Sequence, residues 1–324
     1  MPDTSTSHHP IAALKTHLQR TIVGQQKLVD RLLITILTEG HLLVEGVPGL
    51  AKTTAVRTLA EGMALRFQRI QFTPDMIPGD ITGTDIFVPA DGHFRFIEGP
   101  LFHEIILADE INRAPPKVQS ALLEAMQEHQ VTVGSTTRRL PDLFIVMATQ
   151  NPLEQSGTYP LPEAQLDRFL MHVILTYPTQ EEEFQILQRD RQRHFGAAPL
   201  AITSPLQPDT VLQARNEVAV VHVEDMLERY IVSLIAATRA LETIDENWRD
   251  YLIAGASPRA SIALLRAASA LAYLRGRDYV TPEDIMAMAP DVLRHRMVLA
   301  FAARADNVSP DYMIQRILEH VPVP

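Results

Sequence analysis

One short stretch narrows the possible folds of this chain more than any other. Val44-Glu45-Gly46-Val47-Pro48-Gly49-Leu50-Ala51-Lys52-Thr53-Thr54 reads as the end of an apolar strand, a glycine-rich turn and a Lys-Thr pair that opens a helix. Strand, turn and helix in that order direct backbone N–H groups and a helix N-terminus at one point, a cradle for a phosphate chain. Lys52 can reach β- and γ-phosphates, and the Thr53 hydroxyl can ligate Mg²⁺. Ala51 stands where the generic G-x-x-x-x-G-K-[ST] pattern has its second glycine, so the stretch alone leaves the assignment open.

A second segment closes it. Ile105-Ile106-Leu107-Ala108-Asp109-Glu110 is an apolar run ending in two carboxylates, as a buried parallel strand delivering acids to its C-terminal edge would be. Asp109 would hold the Mg²⁺ through its water shell. Glu110, just beyond it, would polarise an attacking water.

Around these two segments the text alternates. Apolar strands are expected at 41–45, 67–71, 104–109, 143–148 and 170–175, with helices at 53–63 and 117–129, which implies a parallel sheet covered on both faces. Before them, residues 11–39 have apolar positions at helical spacing, interrupted by Gly24-Gln25. Two hairpins should project from the sheet. One joins 83–88 to 93–97 around Pro89-Ala90-Asp91-Gly92, and the other joins 130–133 to 136–140 around Gly134-Ser135. Phe87, Phe94 and Phe96 alternate on the first, so its face either grips a partner or packs on the domain. After Pro178 the strands should stop. Helices are expected at 179–193, 223–241, 258–274, 281–289 and 310–320, with a Pro/Ala-rich connector over 195–209. The chain divides accordingly into an α/β domain, 1–177, and a helical domain, 178–324.

Composition excludes several functions. The 29 basic and 39 acidic residues give a net charge of −10, which argues against nonspecific nucleic-acid binding. No cysteine is present, hence no disulfide, thiol nucleophile or thiolate metal site, and a reducing compartment is the natural setting. The polar start, with His8-His9 in an expected disordered tail, carries no apolar core of a signal peptide, and no run approaches a membrane span. The reading is a soluble cytoplasmic protein without membrane insertion. The histidines have no metal-ligand spacing, and neither Ser156 nor Ser257 has a neighbouring base for a hydrolase triad.

With both nucleotide segments placed, further motifs resemble those of an AAA+ P-loop ATPase, specifically the MoxR family. Gly46-Val47-Pro48-Gly49-Leu50-Ala51-Lys52-Thr53 resembles that family's Walker A, where alanine before the lysine is usual, and the run from Asp109 to Met126 resembles its Walker B region. Ala148-Thr149-Gln150-Asn151-Pro152 looks like sensor 1, the run from Leu161 to Phe169 like the arginine-finger segment, and Gly255-Ala256-Ser257-Pro258-Arg259 like sensor 2. The resemblance covers the chain from about residue 22 to its end.

It implies a parallel-sheet core with hairpin inserts followed by a smaller all-helical lid, binding ATP and Mg²⁺ at the subunit interfaces of a ring, with a hexamer expected. Asn151 would orient the water, although a turn residue before Pro152 would look the same. Arg168 would complete a neighbour's site, and Arg259 would sense the γ-phosphate in cis. An exposed ion pair or a solvated arginine would account for those two as well. Gly24 and Gln25 would lie beside the adenine, with Val23 packed on the base, while Arg113 would either cross the interface or cap a helix. ATP hydrolysis would drive chaperone-like remodelling, cofactor insertion or activation of a protein client, often beside a von Willebrand factor A domain partner. The alternatives are a nucleic-acid-stimulated motor, for which Arg138-Arg139 on the second hairpin is the feature, and a nucleotide-gated binding module with little hydrolysis.

Overall fold

The computed structural model describes residues 8–90, 92–152, 157–195 and 205–324. Ser156 and the hairpin-turn residue Asp91 lie outside them, as do the first seven residues and most of the expected 195–209 connector. In chain order the first half comprises α1 (His8–Thr21), α2 (Gln26–Leu37), β1 (Leu42–Glu45), α3 (Lys52–Gly62), β2 (Phe67–Gln71), α4 (Pro78–Thr82), β3 (Gly83–Val88), β4 (His93–Glu98), β5 (Ile105–Asp109), α5 (Pro116–Glu128), β6 (Gln130–Val133), β7 (Thr136–Arg139), β8 (Ile145–Gln150), α6 (Glu163–Leu166) and β9 (Met171–Ile174). The second comprises α7 (Gln180–His194), α8 (Pro208–Ala219), α9 (Asp225–Ala237), β10 (Leu252–Ala254), α10 (Pro258–Leu274), α11 (Pro282–Leu293), β11 (Val298–Leu299), α12 (Phe301–Ala305) and α13 (Pro310–His320).

Five strands form one parallel sheet in the order β2-β5-β8-β1-β9. Because side chains alternate along a strand, each central strand feeds two cores. Leu42, Val44, Ile105, Leu107, Ile145 and Met147 enter the core on one face. Leu43, Ile106, Ala108, Val146 and Ala148 enter the core on the other, against α4 and α5. This two-sided burial is why the strands read as unbroken apolar runs.

The first core does not end with the sheet. It continues through α1 and α2 into α8, α9, α10, α11 and α13, so the helical half is built onto one sheet face. Arg31 of α2 reaches Asp291 of α11 at 2.8 Å, and Arg215 of α8 donates to the Ile36 carbonyl at 2.8 Å. Three details differ from expectation and a fourth adds to it. The helical half is not wholly helical, since β10 and β11 pair antiparallel where Leu252 meets Leu299. Helix α8 escaped the sequence reading because its polar Asp209, Thr210, Gln213 and Asn216 dilute the apolar period. His8 begins α1 rather than a tail. Ser257 caps α10, accepting the Arg259 N–H at 3.2 Å.

Both hairpins form as expected. Their bases are docked together: the Arg138 guanidinium lies 3.9 Å over the Phe96 ring and 4.0 Å from Asp85, and Phe96 packs edge-on against Phe102. The tip is free, with Phe87 and Phe94 stacked edge to face at 5.4 Å yet 54% and 69% exposed. Each of the two readings of the aromatic face therefore holds for part of it.

Candidate nucleotide site

In a parallel sheet all C-terminal strand ends share one edge, and here β1, β5 and β8 bring three loops together there. The loop after β1 turns on two left-handed residues, Gly49 at φ 91° and Ala51 at φ 55°. A Cβ disfavours that conformation by roughly 1–2 kcal/mol, which is why glycine is the generic choice at Ala51. Ala51 is also the N-cap of α3 and supplies no side-chain acceptor, so the first N–H groups of the helix are left for a ligand. The Lys52 ammonium donates to the Gly46 carbonyl at 2.7 Å. Burial lowers its pKa, opposed by the charges of Asp109 and Glu110. A partly desolvated cation beside an uncapped helix end suits a polyphosphate.

Thr149 ties the two acids together. Its hydroxyl donates to Asp109 Oδ1 at 2.6 Å and accepts the Glu110 N–H at 3.0 Å. Arg69 of β2 takes the other oxygen of Asp109, at 2.6 Å, and also donates to Gln71 Oε1. Glu110 itself sits at φ 58° and ψ 51°, a conformation non-glycine residues hold only where their surroundings impose it. Gln71 Nε2 donates to its carboxylate at 2.8 Å, and Arg113 lies 3.2 Å from the same oxygen. Arg113 thus turns toward Glu110 within its own subunit. Asn151 follows β8 and is buried. Among the described residues no three His, Cys, Asp or Glu side chains cluster as a metal cage. A Mg²⁺ held by Thr53, Asp109, waters and phosphates needs no such cage, and the donor set fits it.

Beside the loop lies a cleft lined by Ile22, Val23, Gln25, Leu50, Ala51, Thr54 and Pro178 and closed by Ile186, Arg189 and Asp190 of α7. Gly24 is required where the chain passes this cleft. Its φ is +73°, and a Cβ there would meet Pro178 at 3.1 Å. The Gln25 amide bonds the Thr176 carbonyl at 3.3 Å, fixing the entry to α2 against the exit of β9.

The remaining cations lie elsewhere. Arg168 lies three residues before β9, at the N-terminal edge of the sheet, and shares a second cleft with Asp167, Arg259, Met126 and Gln127. Arg259 Nη1 is 3.9 Å from Asp167, whose other oxygen receives Arg296 at 2.7 Å.

Comparison with known proteins agrees with this geometry. Residues 41–171 match the model of the ATPase family associated with various cellular activities (AAA), and residues 248–317 match an AAA lid domain. Chaperone MoxR1 of Mycobacterium tuberculosis is 46% identical over 98% of this chain and 83% of its own length. The chain belongs to the MoxR family of AAA+ ATPases. Protein MoxR of Methylorubrum extorquens is 31% identical over 97% of the chain and 95% of its own length. A crystal structure from Cytophaga hutchinsonii, 46% identical, superposes with a TM-score of 0.91 over 99% of this chain and 97% of that one.

On this MoxR fold, Gly46, Val47, Pro48, Gly49, Leu50, Ala51, Lys52, Thr53, Thr54, Asp109, Glu110 and Asn151 share one edge, with Gly24 and Gln25 beside it. Arg259 is a correction. The expected cis contact with the γ-phosphate would require it near Lys52, yet it lies with Arg168 at the opposite sheet edge. The reason is the continuous core, which holds the lid helices against a sheet face instead of over the phosphate loop. Sequence reasoning also missed Arg69, Gln71 and the α7 residues. Thr149 lay inside a quoted motif, one residue past an apolar run, and could have been found by its position beside the Asp109 strand.

Proposed function

We propose that this MoxR protein hydrolyses ATP to ADP and phosphate at the interfaces of a homo-oligomeric ring, with a hexamer as the expected closure. The observation that carries this is the separation of its charged groups. Lys52, Asp109 and Glu110 occupy one edge of the sheet, while Arg168 and Arg259 occupy the other. Neither edge alone brings the nucleophile-activating carboxylate together with Arg168 and Arg259, whereas two chains stacked edge to edge do.

In the reaction, the uncapped N-terminus of α3 and Lys52 bind the β- and γ-phosphates. Thr53 and Asp109 would hold a Mg²⁺, which would supply charge neutralisation to the phosphates. Glu110, with its backbone fixed by Thr149 and its carboxylate by Gln71, takes a proton from the water as it attacks the γ-phosphorus in line. Buried Asn151 orients that water. Arg168 and Arg259 of the adjacent copy stabilise the charge spreading over the transferred group, so Arg259 works in trans in this scheme.

The exposed aromatic tip at Phe87 and Phe94 supports a protein client, either in chaperone-like remodelling or in activation of a partner such as a von Willebrand factor A domain protein. The nucleic-acid motor is disfavoured, because Arg138 is committed to Phe96 and Asp85. Phosphate release from the purified chain tests hydrolysis, and a rate unchanged by Glu110→Gln would remove the assigned base. Mixing Arg168→Ala subunits with Lys52→Ala subunits tests the shared site. Activity should reappear, since each variant supplies the half the other lacks.

A further inference from the structure

We infer that Arg296 is a positioning residue for the neighbouring subunit's reaction, acting through Asp167 on Arg168 and Arg259. The inference rests on the shared-site reading above. Arg296 lies between α11 and β11, far from the sheet in sequence, yet it is 7% exposed. Its guanidinium wraps the turn that carries Arg168. Nε donates to Asp167 Oδ1 at 2.7 Å, Nη2 to the carbonyls of Phe169 at 2.7 Å and Asp167 at 3.3 Å, and Nη1 to the Leu170 carbonyl at 3.1 Å. Acceptors on both sides of Arg168 are thereby fixed by one planar group, a task for which a lysine has neither the fork nor the reach.

The second half of the argument is electrostatic. Asp167 sits beside both arginines, and an unneutralised carboxylate there would draw them into close ion pairs. Arg296 occupies Oδ1, and Ser257 Oγ donates to Oδ2 at 3.1 Å. Arg259 is left at 3.9 Å from that oxygen, with its side chain 59% exposed. Ser257 also caps the helix whose first turn carries Arg259. One carboxylate, neutralised from the lid, therefore sets the backbone under Arg168 and the helix start under Arg259, while both cations are kept available for an incoming phosphate.

The test uses the full chain carrying Arg296→Lys, with Asp167→Asn as a second variant that leaves the carbonyl contacts of Arg296 in place. Turnover at saturating ATP should fall on the order of 10–100-fold in Arg296→Lys, the usual cost of misplacing a group that acts on the transition state, and by less in Asp167→Asn, which leaves no carboxylate to draw the arginines in. Affinity for a fluorescent ATP analogue should be unchanged, because each variant's own phosphate loop is intact. Mixing with Lys52→Ala subunits should restore activity, as the latter donate sound arginines to the variant's site. Normal turnover in both variants would overturn the inference, as would weakened analogue binding. So would failure to recover on mixing under conditions where the Arg168→Ala and Lys52→Ala pair does recover. If that control pair also stays inactive, the shared-site reading falls and this inference falls with it.

Discussion

The two edges of the central sheet differ in how they are built. At the C-terminal edge, each functional group sits within a few residues of a strand end. The chemistry there is written as local strain: Ala51 and Glu110 both take left-handed backbone conformations. At the N-terminal edge the groups come from distant parts of the chain. Asp167 is bound by Arg296, which is 129 residues away in sequence, and by Ser257, which is 90 away. The difference teaches that a phosphate loop can be made by one stretch of backbone. On the proposed shared-site reading, a pair of arginines presented to another subunit needs a scaffold that holds their charges off nearby acids.

The largest expected effect would break this comparison outright. Replacing Arg168 by Ala should slow ATP turnover by roughly 10³–10⁵, the range for an arginine acting on the transferred phosphoryl group. Nucleotide affinity should hold, and loss of affinity instead would put Arg168 at its own phosphate loop. Glu110→Gln should cost about 10²–10⁴ in turnover, the span for a general base, with ATP retained on the protein. Single-turnover phosphate release measures both, and only the arginine variant should recover on mixing with Lys52→Ala.

The next effect belongs to stability at the N-terminal edge. His41, just before β1, accepts the Val146 N–H at Nδ1 and bonds the Met126 carbonyl at Nε2, both at 3.0 Å, so it is held as the neutral ring. Burial lowers its pKa from 6.5 to about 4. The unfolded chain therefore takes up the proton first as pH falls. Stability is full above pH 6.5 and declines through the window down to about 4, by up to about 3 kcal/mol. Urea midpoints across that window should show the decline, and His41→Asn should lessen it. An unchanged slope would remove His41 as the cause, leaving His295, whose pKa burial also lowers.

Smaller effects sharpen the strained edge. Thr149→Val leaves Asp109 without one donor and the Glu110 N–H without its acceptor, a loss of about 1–3 kcal/mol by denaturant unfolding. Its turnover should fall further than that destabilisation explains. Ala51→Gly relieves a left-handed residue and should raise stability by about 0.5 kcal/mol, because part of the gain is lost to the freer unfolded chain. A destabilised Ala51→Gly would mean that the alanine methyl packs usefully on the loop.

Much of the architecture was legible before any coordinates. The runs at β1, β5, β8 and β9 are short, largely apolar and bounded by turn residues, and both hairpins carry their own turn chemistry. Helix α8 was not legible, since its packing against α2 shows only weakly in its sequence period. In the site, Lys52, Thr53, Asp109 and Glu110 could be found because each sits at a fixed offset within a contiguous pattern. Arg69, Gln71 and Arg296 could not. An arginine in a strand or after a helix has no local mark that names its partner, and the partners of Arg69 and Arg296 lie 40 and 129 residues away.

By itself, the sequence determined the alternation of strands and helices, the phosphate loop and the paired acids, because these depend on side-chain periodicity and on backbone freedom over a few residues. Only the tertiary structure decided which edge each arginine occupies. That choice follows from where the helical half finds its hydrophobic contacts, and here α8, α10 and α11 share a core with α1, α2 and a sheet face. Packing of that range is a property of the whole chain, and it carries Arg259 away from the loop that its position in the sequence had suggested.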